Sequence, residues 1–210
     1  MSKEPDKTLE KQAKLIRKFK KMWNRSQSEL CEVRGSAIHG RGVYATVDIK
    51  KDDKIIEYVG ELINKEESER RANAQAELAA QHGDAAVYIF TVDDDYDLDG
   101  NLPWNTARLI NHSCEPNCEA WIDEKRIFIH ALRNIKKGEE LSFDYGFEVD
   151  TWEEHPCRCG KKSCVGHIVS RTQWKELEKK KAEKHAWAII TKNAAKKSQQ
   201  RKNHAAEICC

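Results

Sequence analysis

Cys157, Cys159 and Cys164 stand in a C-x-C-x4-C spacing around Gly160, close enough along the chain for three sulfurs to face one ion. Thiolates so placed suit zinc, which takes four tetrahedral ligands with sulfur at about 2.3 Å. A fourth ligand must come from elsewhere, and Cys114, Cys118, His155 and His167 are the candidates by residue type. Chance clustering of structural cysteines is the competing explanation, and the tight spacing argues against it. The chain has eight cysteines, and its N-terminus lacks the apolar stretch of a secretory signal. Metal binding or free thiols are therefore expected rather than disulfides.

A second concentration of chemistry is the run Arg108-Leu109-Ile110-Asn111-His112-Ser113-Cys114-Glu115-Pro116-Asn117-Cys118, followed by Glu139 and by Phe143-Asp144-Tyr145-Gly146. Upstream stand Gly40-Arg41-Gly42-Val43-Tyr44 and Tyr58-Val59-Gly60-Glu61. Taken in this order, with the cysteine cluster after them, these segments resemble the motifs of the SET domain family followed by its post-SET module, over about residues 31–170. Any one of them is modest evidence. Four in order at plausible spacing are hard to obtain by chance.

The resemblance implies a mainly β fold, the SET β-clip, in which the Asn111 segment threads beside the Phe143–Tyr145 segment in a knot-like arrangement. It implies a protein-lysine N-methyltransferase with S-adenosylmethionine as methyl donor. The residues matching cofactor-binding positions are Gly40, Arg41, Gly42, Asn111, His112 and Tyr145. Glycine is physically sensible there, because the main chain approaches a ligand closely when no Cβ intervenes. Tyr145 matches the catalytic tyrosine and Tyr88 a wall of the lysine channel. Phe143 matches the position where phenylalanine, unlike tyrosine, leaves room for further methyl groups, which implies di- or trimethylation. The implied zinc ligands are Cys114, Cys157, Cys159 and Cys164, leaving Cys118 a buried thiol and His155 and His167 without a role. Plainer readings stand beside these: hairpin turns at Gly40 and Gly42, core aromatics at Tyr88 and Tyr145. The chain departs from the family's usual run at Trp104-Asn105-Thr106, so the loop beside the cofactor is expected to have its own shape.

Such a reaction needs few side chains. Methyl transfer from a sulfonium is an in-line displacement, so the enzyme must align amine, methyl and sulfur. A lysine amine, with an ordinary pKa of about 10.4, loses its proton more readily in an apolar channel beside a positive sulfonium. No dedicated base is then required.

These groups must be held by recognisable elements. Residues 1–30 read as a basic packing helix, with Leu9, Ala13, Ile16, Phe19, Met22 and Trp23 at helical spacing. Glycine-punctuated β-branched runs follow, at 42–47 and 54–59, with turns at Gly35, Gly40 and Asp52-Asp53. Asn64 is placed to cap an inserted helix running to His82 and stopped by Gly83. Further strands are expected at 86–92, 121–123, 126–131 and 140–145, with the acidic stretch Asp93–Asp99 a solvated loop or a lure for basic peptide. Beyond Trp174 a helix is expected to about Ile190 and a disordered tail after about 192, ending in Cys209-Cys210. The organisation predicted is a basic helix at 1–30, a SET domain at 31–148, a post-SET zinc module at 149–170 and a basic tail at 171–210.

Charge follows the same division, with net +5 over residues 1–30, −10 over 31–167 and +7 over 168–210. An acidic body suits a basic protein or peptide substrate, and basic arms suit nucleic acid or chromatin. No run approaches the roughly 18 apolar residues of a membrane span, so a soluble intracellular protein of cytoplasm or nucleus is expected. The rival function is a catalytically inactive SET scaffold that binds chromatin, nucleic acid or a partner through its arms.

Overall fold

A computed structural model describes residues 7–81 and 88–208. Its elements run α1 (Lys7–Arg25), β1 (Cys31–Gly35), β2 (Arg41–Ala45), β3 (Lys54–Tyr58), β4 (Glu61–Asn64) and α2 (Lys65–Gln81). They continue with β5 (Ile89–Thr91), β6 (Tyr96–Asp99), β7 (Asn111–His112), β8 (Cys118–Asp123), β9 (Arg126–Ala131), β10 (Ser142–Phe143) and α3 (Trp174–Ile208), with short 3-10 turns between.

The core is assembled on β9, whose Ile127 and Ile129 are wholly buried. β9 pairs antiparallel with β3 on one side and β8 on the other. The β8–β9 hairpin turns on Glu124 and Lys125, both at positive φ, as a two-residue turn between twisted strands requires. β1 pairs antiparallel with β2, β6 lies between β4 and β5, and β7 runs parallel to β10. This last pair sets Asn111 opposite Ser142 and His112 opposite Phe143, although these residues lie some thirty positions apart in sequence. The fold is mainly β, with small sheets around one core and helices at its edges.

Asn64 does cap α2, its Oδ1 accepting from the Glu67 N–H at 2.9 Å, while the proposed stop at His82–Gly83 lies outside the described residues. Residues 86 and 87 of the strand predicted at 86–92 also lie outside them, and β5 covers Ile89–Thr91. The acidic stretch is no simple loop: Tyr96–Asp99 forms the central strand of its sheet. Asp97 and Asp99 are buried there because Lys65 and Arg71 of α2 neutralise them at 2.6 and 2.8 Å. Helix α1 packs less than its periodicity suggests, with Leu15, Ile16 and Trp23 more than half exposed. It is held instead by Phe19 against Trp104, ring centroids 4.8 Å apart, and by Arg25 on Glu57. Helix α3 continues to Ile208 where disorder was expected after about 192, because its Ala, Lys and Gln content contains no Gly or Pro to break it. Cys209 and Cys210 lie outside the described residues. No helix among the described residues is long and apolar enough to cross a membrane.

Candidate active site and metal centre

Each wall of the cleft comes from a different part of the chain. The loop between β1 and β2 contributes Gly40, the start of β2 contributes Arg41, and β7 contributes Asn111 and His112. Tyr88 and Phe90 come from β5 and its approach, and Phe143 and Tyr145 from β10 and the residues after it. Together they enclose a volume of about 870 Å³. The cleft therefore gathers seven of the eight residues predicted to catalyse or to hold cofactor. Gly42 is the exception. It does not line the cleft, and a Cβ placed on it would meet Glu140 Oε1 at 2.2 Å. Its lack of a side chain serves packing against Glu140, whereas Gly40 occupies the left-handed region, φ +46°, in the turn that bounds the cleft.

An aromatic chain floors the cleft. Tyr58 meets Phe90 edge-on at 4.9 Å, Phe90 stacks on Phe143 at 5.6 Å, and Phe143 lies 5.0 Å from Tyr145. The Tyr145 hydroxyl donates to the Ile110 carbonyl at 3.0 Å, so its position is fixed by the residue just before β7. Tyr88 is held at its main chain: its N–H donates to Gln75 Oε1 of α2 at 3.2 Å, and its carbonyl accepts from the Tyr58 hydroxyl at 3.0 Å. Burial drives the Tyr58 pKa far above the ordinary phenol value, so it stays a neutral donor. Arg108 lies over the Tyr88 ring at 5.0 Å. Tyr58 and Arg108 stood within the quoted motifs without a role in this site, and Phe90 and Phe147 were not singled out; for Phe147 the aromatic density of Phe143–Phe147 was the available signal.

His112 links the cleft to the cysteines. The Tyr145 N–H donates to its Nδ1 at 3.3 Å, which leaves the ring proton on Nε2, 3.7 Å from Cys114 Sγ. Burial lowers the His112 pKa to about 4 despite the Asp144 carboxylate 3.8 Å away, so the ring is neutral.

Cys114, Cys157, Cys159 and Cys164 converge, their sulfurs all within 4.8 Å of one another. Cys114 Sγ lies 3.8 Å from both Cys157 Sγ and Cys164 Sγ. Four sulfurs each about 2.3 Å from a central zinc would sit about 3.8 Å apart at the corners of a tetrahedron. The site thus fits a tetrahedral dication by donor set and spacing. Local chain geometry builds it: the Cys157 N–H donates to the Gly166 carbonyl at 3.0 Å, and the Ile168 N–H donates to the His155 carbonyl at 2.8 Å. Glu115 ties the Cys114 segment to this loop by accepting from the Ser163 N–H and hydroxyl at 3.0 and 2.8 Å. Burial pushes the Cys114 and Cys157 thiols up, which a bound cation would reverse. Cys118 stays outside the cluster, wholly buried, with its thiol pushed up to about 12 by burial. His155 and His167 also stay outside it, packed edge-on against Phe147 and Trp152 at 4.7 and 4.5 Å.

Comparison with known proteins gives the family. The SET domain family model matches residues 40–146, and the chain belongs to that family. It is 43% identical over 139 residues to a histone-lysine N-methyltransferase, H3 lysine-4 specific, of Chaetomium globosum, covering 63% of this chain and 12% of that protein. It is 43% identical over 137 residues to histone-lysine N-methyltransferase trithorax of Drosophila virilis, covering 63% of this chain and 3% of that protein. Histone-lysine N-methyltransferase set-2 of Caenorhabditis elegans is 39% identical over 137 residues, again covering 63% of this chain and 9% of that protein. The match thus spans only a small part of these relatives' length.

Proposed function

We propose that this chain is a protein-lysine N-methyltransferase that moves a methyl group from S-adenosylmethionine to a lysine of a basic protein, with histones the substrate class. The relatives named as histone-lysine N-methyltransferases support the class. The observation that carries the reading is a tyrosine hydroxyl, Tyr145, anchored at 3.0 Å on Ile110 in a cleft whose other walls are the 38–41 loop and β7.

S-adenosylmethionine, when bound, supplies a methyl group on a positive sulfur. Main-chain groups of Gly40 and Arg41, with Asn111 and His112, are the residues to hold it. The walls formed by Tyr58, Tyr88, Phe90 and Phe143 exclude water and disfavour the ammonium form of a substrate lysine, so the amine arrives neutral. Tyr145, its proton committed to Ile110, offers its oxygen as acceptor for an amine N–H and so turns the amine lone pair toward the methyl group. Phe143 brings no hydroxyl to hold the amine back, which supports di- or trimethylation. The cysteine cluster binds one zinc and so fastens residues 149–170, a post-SET module, against a catalytic domain of about 31–148. The basic arms, 1–30 and 171–210, add contacts to chromatin or nucleic acid, consistent with a nuclear location.

Transfer of labelled methyl from S-adenosylmethionine to histones and whole-cell protein tests this, comparing wild type, Tyr145→Phe and metal-stripped protein. Lysine labelling that falls about 100-fold in Tyr145→Phe is expected, the usual scale for one preorganised hydrogen bond at a reacting centre. Cofactor binding by wild type without transfer to any protein would sink the reading and favour a non-catalytic scaffold.

A further inference from the structure

We infer that Glu140 is a positioning residue for the cofactor end of the cleft, acting as a carboxylate that joins the 36–41 loop to β7. The inference rests on the methyltransferase reading above and names a residue that touches neither reacting group.

Glu140 is half-buried beside β2, and its two oxygens are engaged in different directions. Oε1 accepts from the Ser36 hydroxyl at 2.6 Å and from Asn111 Nδ2 at 2.9 Å, while Oε2 accepts from the Tyr44 hydroxyl at 2.9 Å. Ser36 in turn organises the loop. Its Oγ accepts from the Ile38 N–H at 3.0 Å, and its own N–H donates to the Gly40 carbonyl at 3.0 Å. Asn111 Nδ2 lies 3.1 Å from the Arg41 carbonyl and so pulls the same loop toward β7 from the other side. Loop residues Ile38, His39, Gly40 and Arg41 all line the cleft, and so does Asn111. Oε1 is thus one acceptor common to a donor on the loop and a donor on β7, which fixes the two relative to each other. Asn111 Nδ2 also reaches Ser36 Oγ at 3.1 Å and the His39 carbonyl at 3.4 Å, so without Glu140 the loop keeps direct contacts to β7, but the Ser36 hydroxyl and the Asn111 amide lose the shared acceptor that orients them and the loop is held less tightly.

Gly42 supports this arrangement independently. A Cβ there would fall 2.2 Å from Glu140 Oε1 and 3.0 Å from Ser36 Cβ, so any side chain at 42 must displace the carboxylate from its donors. Glutamine, by contrast, is compatible with the network. Its carbonyl oxygen can replace Oε1, and its amide can donate to the Tyr44 oxygen, because the Tyr44 hydroxyl has a second acceptor in the Gly35 carbonyl at 3.1 Å.

The experiment measures S-adenosylmethionine affinity by calorimetry, together with amide hydrogen exchange over residues 36–41, in wild type, Glu140→Ala, Glu140→Gln, Gly42→Ala and the Gly42→Ala/Glu140→Ala double variant. Glu140→Ala is expected to weaken cofactor binding about tenfold and speed exchange in the loop, with the KM for a histone peptide unchanged. Glu140→Gln should bind within twofold of wild type. Gly42→Ala should reproduce the loss seen in Glu140→Ala, and the double variant should be no worse than Glu140→Ala alone. Wild-type binding that Glu140→Ala leaves intact overturns the inference, as does a Glu140→Gln variant as weak as alanine. Wild type that binds no S-adenosylmethionine overturns instead the methyltransferase reading on which it rests. If Glu140→Ala does not fold, the Gly42→Ala and Glu140→Gln pair decides: loop loosening in the first and none in the second supports the inference, and any other pattern overturns it.

Discussion

At the scale of single residues, the site depends on a few side chains whose freedom has been removed. Tyr145 is fixed by Ile110, Tyr88 by Gln75 and Tyr58, and His112 by the Tyr145 amide. Phe143 stacks on Phe90 with no polar group of its own. Adding a hydroxyl there supplies an acceptor in the channel, so Phe143→Tyr is expected to shift the product from di- or trimethyl-lysine to monomethyl-lysine when S-adenosylmethionine is in excess over peptide. Mass spectrometry of a lysine peptide reads this directly, and an unchanged product distribution argues against the placement of Phe143 in the channel. Glu57 makes a different kind of residue-scale prediction. Burial pushes its pKa up, but the guanidinium groups of Arg25 and Arg126, each bidentate on the carboxylate, outweigh burial and hold it below the ordinary value. A carboxyl depressed in the folded state stabilises the protein above its unfolded pKa of about 4.3 and loses that contribution as pH falls through the folded value. Glu57→Gln is therefore expected to cost about 2 kcal/mol at pH 7 and less as the pH falls below the ordinary glutamate value. Urea unfolding on either side of that value checks the sign; an equal loss on both sides would remove the charge from the explanation.

At the scale of elements, the site is built from pieces too short to be stable alone. β7 and β10 are two residues each, yet their parallel pairing is what brings Asn111 and His112 beside Phe143 and Tyr145. Their persistence comes from the isoleucine-rich core under them. Ile129, wholly buried on β9, is expected to cost about 3 kcal/mol when cut to alanine. The cap of α2 contributes on a smaller scale: Asn64→Ala removes the acceptor for the Glu67 N–H and should cost about 1 kcal/mol. Denaturant melts of the two variants should keep that ranking. An Asn64→Ala loss as large as that of Ile129→Ala would mean that α2 is part of the core rather than a helix clamped to its edge by Arg71 and Asp99. Asn64 was recognisable in the sequence because capping is a local matter of residue type and spacing. The central strand β6 was not, because its charged composition looks solvated until α2 supplies Lys65 and Arg71 from elsewhere in the chain.

At the scale of the whole molecule, the cysteine cluster joins the β core to the segment behind it. Cys114 comes from the core and the other three cysteines from the loop beyond residue 155, so an ion bound by all four would staple the two together. Elemental analysis is expected to find one zinc per chain. Cys114→Ser should lower that content well below one, while Cys118→Ser, which alters a buried thiol outside the cluster, should leave it at one. Loss of zinc in both variants, or in neither, would contradict the assignment. Chelation should also remove methyl transfer, because the loop carrying Cys157 and His155 lines the same cleft as Tyr145.

The sequence by itself determined which residue types could do this chemistry and in what order they occur: the tight C-x-C-x4-C spacing, the Asn-His-Ser-Cys run, the aromatic segment ending in Tyr145, and the cap at Asn64. Each is a short-range pattern, written within about ten residues. Residue types alone left four candidates for the fourth position, the family resemblance pointed to Cys114, and the structure brings Cys114 to the other three sulfurs; only the tertiary structure decided that Gly42 faces Glu140 rather than the cleft and that an acidic stretch forms a central strand. Those outcomes depend on groups brought together from distant parts of the chain. Burial and pairing across such separations are properties of the packed molecule, and a linear pattern does not contain them.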